Sequence, residues 1–255
     1  FILSLKRKKV LKEWTGTHLD FTFEKKKNSI KYIGSKGNND ICKYLIRNIK
    51  SNYLANVTNI KFNSNYWTIT LNNGGQVFFK YLILTCPYLQ LKILASKYIK
   101  IIKKIKVNMT PNITVMVAYK SHKKLPINSI KFNDDIIAWA AQENTKDRFK
   151  SNQILWTIQC TEIYSKKIIN LFKKDNNKYQ SKILKRFEDL LGFQAKNIVF
   201  KNIHGWRYSY SRSRTQLKSH WNNQSRIGIC ADWLLGPKAE DSWLSAVDLF
   251  KNIKL

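Results

Sequence analysis

Residues 226–246, RIGICADWLLGPKAEDSWLSA, place a carboxylate between a short apolar run and a helix start, an arrangement suited to holding a hydroxylated ligand. Ile227 and Ile229, with the small residues around them, predict a buried strand with Asp232 at its carboxyl end. Gly236-Pro237 breaks the backbone, and a helix is expected to open at Glu240-Asp241-Ser242 because Trp243, Leu244, Val247, Leu249, Phe250 and Ile253 recur near helical spacing. The carboxylate can accept hydrogen bonds from sugar or ribityl hydroxyls, and the free N–H groups of a helix start favour a partly negative ring or phosphate. Other chemistries lack their parts. No nucleophile triad, carboxylate pair or His-rich metal cluster can be assembled, and of His18, His122, His204 and His220 only His204 lies near a motif. Cys42, Cys86, Cys160 and Cys230 are too far apart for a zinc site and read as reduced thiols of a cytoplasmic protein.

The segment resembles the C-terminal flavin-binding signature of the renalase-like branch of the FAD-dependent amine-oxidase superfamily: Gly-Asp-Trp, Gly, then Glu-Gly-Ala-Trp-Leu-Ser-Gly. Asp232, Trp233, Gly236, Glu240, Trp243, Leu244 and Ser245 match, whereas Ala231, Asp241, Ser242 and Ala246 replace Gly, Gly, Ala and Gly. Fainter echoes lie upstream. Tyr32-Ile33-Gly34-Ser35-Lys36-Gly37-Asn38 is similar to the family's Tyr-Val-Gly-x-x-Gly-Met, Trp139-Ala140-Ala141 with Lys146 and Arg148 to its Trp-Ala-Ala and Lys-Pro-Gly-Arg, and Trp206-Arg207-Tyr208 to its Trp-Arg-Tyr.

The resemblance implies FAD as cofactor, a reduced small molecule as hydride donor and dioxygen as final acceptor. It implies cofactor contacts at Asp232, Trp233, Glu240, Asp241 and Ser242, at Val57 through its backbone, and at Cys86 and Pro87. It further implies a substrate cavity shaped by Trp206, Tyr208 and Lys146 and lined by Trp139, Arg148 and Arg207. Renalase-type enzymes act on isomeric reduced nicotinamide nucleotides, and a cationic cavity suits such a phosphate-bearing donor.

The elements that must position these residues divide into two kinds. Strands are expected at 56–62, 66–71 and 76–79, with Asn72-Asn73-Gly74-Gly75 as turn chemistry, then at 81–84 before a helix opening at Pro87. A mostly antiparallel sheet is expected from 107–111, 113–119, 130–132, 136–142, 154–160 and 198–203, with helices at 162–172 and 179–191, the second closed by Gly192. Residues 3–14 read as a basic amphipathic helix, 21–23 and 30–33 as short strands, and Ile41, Tyr44, Leu45 and Ile49 as one face of a helix after the loop at 34–40. The expected class is α/β (α+β): the remainder of a FAD/NAD(P)-binding Rossmann-like domain plus an antiparallel-sheet substrate domain. Segments 1–33 and 105–208 are assigned to the substrate domain, and 34–104 and 209–255 to the FAD-binding domain. None of the nine glycines forms the Gly-x-Gly-x-x-Gly that should open such a domain, and the first residue is Phe1, so an N-terminally truncated chain is expected.

The formal charge of +30 suggests a polyanion partner, yet lysines are spread among Asn and Ile, as at 25–28 and 173–177. No sequence-specific nucleic-acid module is expected, nor is a membrane span, since no apolar run approaches that length. The alternative to a flavoenzyme is a noncatalytic basic protein that binds polyanions, with residues 207–214, RYSYSRSR, as its basic and aromatic strip.

Overall fold

The computed structural model describes residues 1–22, 24, 30–120, 125–192 and 197–253. Phe23, the lysine run at 25–28 and His122 lie outside them. In chain order the first half contains helix α1 (Ile2–Arg7), strands β1 (Leu11–Glu13), β2 (His18–Leu19) and β3 (Tyr32–Gly34), and helix α2 (Asp40–Leu45). Strands β4 (Val57–Asn63), β5 (Tyr66–Leu71), β6 (Gln76–Phe79) and β7 (Leu82–Leu84) follow, then helix α3 (Tyr88–Ala95) and strand β8 (Met109–Tyr119). The second half adds β9 (Ser129–Lys131), β10 (Ile137–Gln142) and β11 (Ile154–Cys160), helices α4 (Glu162–Ile168) and α5 (Asn176–Leu191), and β12 (Ile198–Ser211). It closes with β13 (His220–Asn222), β14 (Ile227–Ile229), α6 (Asp232–Leu235) and α7 (Ala239–Asn252).

These elements form two compact units, Phe1–Ser51 with Pro111–Trp206, and Asn52–Thr110 with Arg207–Leu255. Residues 34–51, grouped by sequence with the FAD-binding segments, cluster in the first of them. Among the described residues no helix is long and apolar enough to cross a membrane.

The first unit is built on a six-stranded sheet of order β12-β8-β11-β10-β9-β2, in which β8, β11, β10 and β9 pair antiparallel in turn and β2 runs parallel to β9. In β11 every second residue is buried, the period-two signature of a strand with one face on a core. Trp156 and Ile158 from that face pack with Ile168 of α4 and Ile183, Leu184 and Phe187 of α5. Burying an aromatic or branched side chain of this size contributes roughly 1.5–3 kcal/mol. Helix α5 is delimited by its own chemistry: Asp175 accepts the Lys178 amide proton at 3.0 Å, and Gly192 ends it at φ 67°. Trp14, Ile33 and Ala141 form a separate small cluster, with Trp139 packed against it.

The second unit contains an antiparallel meander, β4-β5-β6, and a three-stranded sheet in which β14 lies between β7, parallel to it, and β13, antiparallel. Its core gathers Ile60 and Trp67 of the meander, Leu91 of α3, Ile99, Ile102, and Ile227, Ile229, Trp233 and Leu234 of the C-terminal segment.

Several sequence expectations are corrected. The helix expected over 3–14 stops at Arg7, because Lys9 takes a left-handed φ of 54° and the chain then pairs as β1 with β3. The strands expected at 107–111 and 113–119 are one, β8. Pro111 interrupts nothing there, since the register with β11 begins at Thr114. The strand expected at 198–203 continues to Ser211, and β13 is an additional strand. The apolar stripe of α7 is only partly used: Ser245 and Leu249 are buried, while Leu244 and Phe250 face solvent.

Gly205 lies in β12 where a Cβ would stand 2.6 Å from Cε1 of Phe172 and 2.8 Å from Cδ1 of Ile169. Both neighbours belong to the packed helical layer, so Gly205→Ala is expected to lower stability by about 1–3 kcal/mol, measured as a lower urea midpoint with unchanged slope.

Candidate functional site

The residues singled out by sequence form a group in each unit and a further set on strand β12. In the second unit β7 and β14 run side by side in the same direction, with Leu82 opposite Ile227 and Leu84 opposite Ile229. Parallel strands deliver their carboxyl ends to one edge, where ligands of α/β sheets bind. Beyond β7 come Thr85, Cys86 and Pro87, the last being the N-cap of α3. Beyond β14 come Cys230, Ala231 and Asp232. The indole Nε1 of Trp233 donates to the Cys86 carbonyl at 3.1 Å, which ties the two strand ends together. Trp233 itself is fully buried and meets the Tyr88 ring edge-on at 5.4 Å, so its role here is to hold the backbone on either side of it.

Asp232 is half-buried and opens the single turn of α6, its Oδ1 accepting the Trp233 amide proton at 2.7 Å. Burial pushes its carboxyl above the ordinary carboxylate range, with the nearby Asp241 charge adding to the rise and the backbone hydrogen bonds opposing it. A desolvated carboxylate of this kind gains most from a ligand that brings hydroxyl donors. After α6 the chain turns at Gly236, whose φ of 156° and ψ of −171° belong to a region open essentially to glycine alone. Asp241 then caps α7 by accepting the Lys238 amide proton at 2.8 Å, and Glu240 and Ser242 lie exposed in the first turn. Ser245, a further match to the motif, is fully buried. It accepts the Ala231 amide proton at 2.9 Å and donates to the Lys218 carbonyl at 2.6 Å, anchoring α7 beneath the strand end. Val57 and Pro87 are partly buried, Val57 as the first residue of β4; the Cys86 thiol is raised by burial and is correspondingly unreactive.

The first unit holds the other group. Lys146 is buried, its ammonium 2.6 Å from Oε1 of Glu143 and 5.2 Å from the centre of the Trp14 ring. The same Glu143 oxygen accepts the Thr157 hydroxyl at 2.8 Å. Arg148 donates through Nε to the Gly34 carbonyl at 3.1 Å and through a terminal nitrogen to Asn38 Oδ1 at 2.6 Å, with Glu143 4.0 Å away. Arg148 therefore joins the β10–β11 connection to the loop at 34–38, two segments that sequence marked separately. Trp139 packs on the Trp14 cluster. Glu143 and Trp14 carry this arrangement and were not singled out; the only sequence signal for Glu143 is its position three residues before Lys146.

Strand β12 carries the last set. Trp206 is exposed and meets His204 edge-on at 4.3 Å, Arg207 is exposed, and Tyr208 is half-buried. Along the strip at 207–214 the Arg212 guanidinium lies 6.0 Å from the Tyr210 ring centre. Among the described residues no group of three or more His, Cys, Asp or Glu side chains could hold a metal.

No family model matches the sequence. Solved structures do. A putative protoporphyrinogen oxidase from Exiguobacterium sp. 255-15 aligns with a TM-score of 0.63 at 11% identity, covering 87% of this chain and 51% of that one. An oxidoreductase from Methanosarcina mazei aligns at 0.61 and 11% identity over 87% of this chain and 55% of its own. A putrescine oxidase with putrescine bound aligns at 0.55 and 11% identity over 87% and 54%. The chain shares its fold with these oxidoreductases. That fold is the expected α/β class, with a Rossmann-like portion that carries parallel strands and a portion built on a mostly antiparallel sheet. The chain spans about half the length of each of these structures.

The Glu143–Lys146 pair has an asymmetric energetic consequence. Glu143→Gln leaves a buried ammonium facing a neutral amide and the Trp14 ring, a loss on the order of 3 kcal/mol for an uncompensated buried charge. Lys146→Met leaves Glu143 with Thr157 and Arg148 and is expected to cost less. Denaturant unfolding of the two variants checks the order.

Proposed function

We propose that this chain is part of a FAD-dependent oxidoreductase of the renalase-like, flavin amine-oxidase type, working in the cytoplasm. The observation that supports it most is the half-buried Asp232 at the carboxyl end of β14, held beside the carboxyl end of parallel β7 by the Trp233–Cys86 hydrogen bond. The fold shared with the oxidoreductases agrees with it.

The residues present fit the group. Asp232 is a carboxylate whose desolvation is relieved by hydroxyl donors, so it would hold the ribityl chain. The glycine-only backbone at Gly236 lets the chain turn tightly between that acid and α7. Asp241 is committed to its cap, so the opening of α7 contributes backbone N–H groups and dipole in place of a second carboxylate. Val57, Cys86 and Pro87 would line the nucleotide through backbone and apolar contact. Bound FAD supplies a two-electron acceptor that no side chain provides, oxidising a reduced donor and passing the electron pair, with two protons, to dioxygen as hydrogen peroxide. Trp206, Tyr208 and Trp139 would orient the donor and Arg207 would face a phosphate-bearing one, whereas Lys146 and Arg148, engaged with Glu143, would act by bracing the segments around them. An isomeric reduced nicotinamide nucleotide is the donor this reading favours.

The pH dependence follows from the raised Asp232 carboxyl. A group whose folded pKa lies above its unfolded value stabilises the fold below the unfolded value and loses that contribution as pH rises through the folded one. Hydroxyl donors from a ligand favour the ionised form. FAD affinity should therefore climb as pH rises through the Asp232 pKa and level off above it. Asp232→Asn should hold apo stability at neutral pH while weakening FAD by about 10- to 100-fold, the scale of a hydrogen bond to a charged group, and should abolish the pH dependence. Flavin fluorescence titration between pH 4 and 8 reads both. Unchanged affinity in the variant would remove Asp232 from the site.

A further inference from the structure

From Ile41 to Asn133 the sequence contains no Asp or Glu. That interval includes the whole β4-β5-β6 meander, whose only charged side chain is that of Lys61. One face of the meander packs on the core through Ile60, Trp67 and Ile69, and the alternation of the strands turns the other face outward. Register places Lys61, Thr68 and Phe78 in one row across the three strands, with Tyr66 opposite Asn63 beside it. Tyr66 and Phe78 are 44% and 59% exposed on that outward face, and their rings meet edge-on at 5.7 Å. Large aromatics standing in water on an open sheet, where Thr or Lys would fill the same positions at no hydrophobic cost, call for a planar partner.

Positive groups border the pair. Lys61 is exposed on β4, and Lys80 is exposed directly after β6. Arg226 hydrogen-bonds the carbonyl of Asn65, the residue before Tyr66, at 3.2 Å and lies 5.8 Å from the ring centre of Tyr81, itself 41% exposed. Exposed aromatic side chains edged by cations are the two components of a single-strand nucleic-acid platform: stacking that accepts any base, and phosphate pairing that follows the backbone. The strip at 207–214, which carries the same residue types in sequence, is less suited, because Tyr208 and Tyr210 are half-buried and the Arg212 guanidinium lies near the Tyr210 ring.

We propose that the outward face of β4-β5-β6 binds single-stranded RNA without base specificity, stacking bases on Tyr66 and Phe78 and pairing phosphates with Lys61, Lys80 and Arg226. The site shares no residue with the flavin reading and stands without it. The test is fluorescence anisotropy of the chain with a labelled oligouridylate of roughly ten nucleotides, within the span one such platform covers. Tyr66→Ser with Phe78→Ser should weaken binding by about 10-fold or more, while Lys61→Gln should weaken it modestly and reduce the slope of log affinity against log salt by about 0.7. Heparin, which carries charge and no bases, should bind the wild type and the double aromatic variant alike, and it serves as the control that the variant is folded with its charge intact. Equal RNA affinity in wild type and aromatic variant, no RNA binding by the wild type at low salt, or a parallel loss of heparin and RNA binding would each overturn the proposal.

Discussion

The parallel pairing of β7 with β14 is the constraint on which the candidate cofactor site depends. Three residues on each strand bring together segments more than a hundred positions apart in sequence, and the Trp233 indole closes the arrangement by donating to Cys86. Each component is weak alone, since a net hydrogen bond is worth about 1 kcal/mol. They act together because Ile227, Ile229, Trp233 and Leu234 are buried in the same core as Leu82, Tyr88 and Leu91. Apolar burial sets the register, and the register puts a carboxylate where the backbone on both sides is held. Ser245 extends the constraint to α7 by satisfying the Ala231 amide and the Lys218 carbonyl at once.

Positive charge is handled in two different ways. In the first unit Lys146 and Arg148 are drawn inward and matched, Lys146 to Glu143 and Arg148 to Glu143, Gly34 and Asn38, so that they brace two loops. A buried cation requires such partners. The meander carries a single lysine, Lys61, and no acid, and Lys61 remains at the surface. Lys and Arg side chains thus serve as internal fasteners in one place and stay as surface cations in another.

Short-range chemistry was legible in the residues themselves. The strands at 66–71, 76–79 and 154–160 follow from alternation with turn residues between them, and the start of α3 after Pro87 and the end of α5 at Gly192 follow from backbone preferences of single residues. Position 232 at the end of a buried strand was equally readable, because a run of small and apolar residues leading to one acid admits few conformations. Residues 3–14 misled because the apolar positions Leu3, Leu5, Leu11 and Trp14 suit a helix, while the left-handed turn at Lys9 and the partner strand β3 are invisible locally.

What the sequence by itself determined is the set of local conformations and the composition that goes with them: where strands alternate, where helices open and close, the acid at 232, and the interval from 41 to 133 empty of carboxylates. Only the tertiary structure decided which of the marked residues are exposed and which are already engaged. Trp233 matches a cofactor motif and is a buried brace, Asp241 stands where that motif has Gly and is a helix cap, and Lys146 carries a charge that Glu143 already holds. Tyr66 and Phe78 drew no notice in a sequence rich in aromatics, yet the pleat turns both outward in one patch. The physical reason is the range of the forces: propensity and capping act over a few residues, whereas burial and pairing depend on partners that the chain brings near only when it is folded.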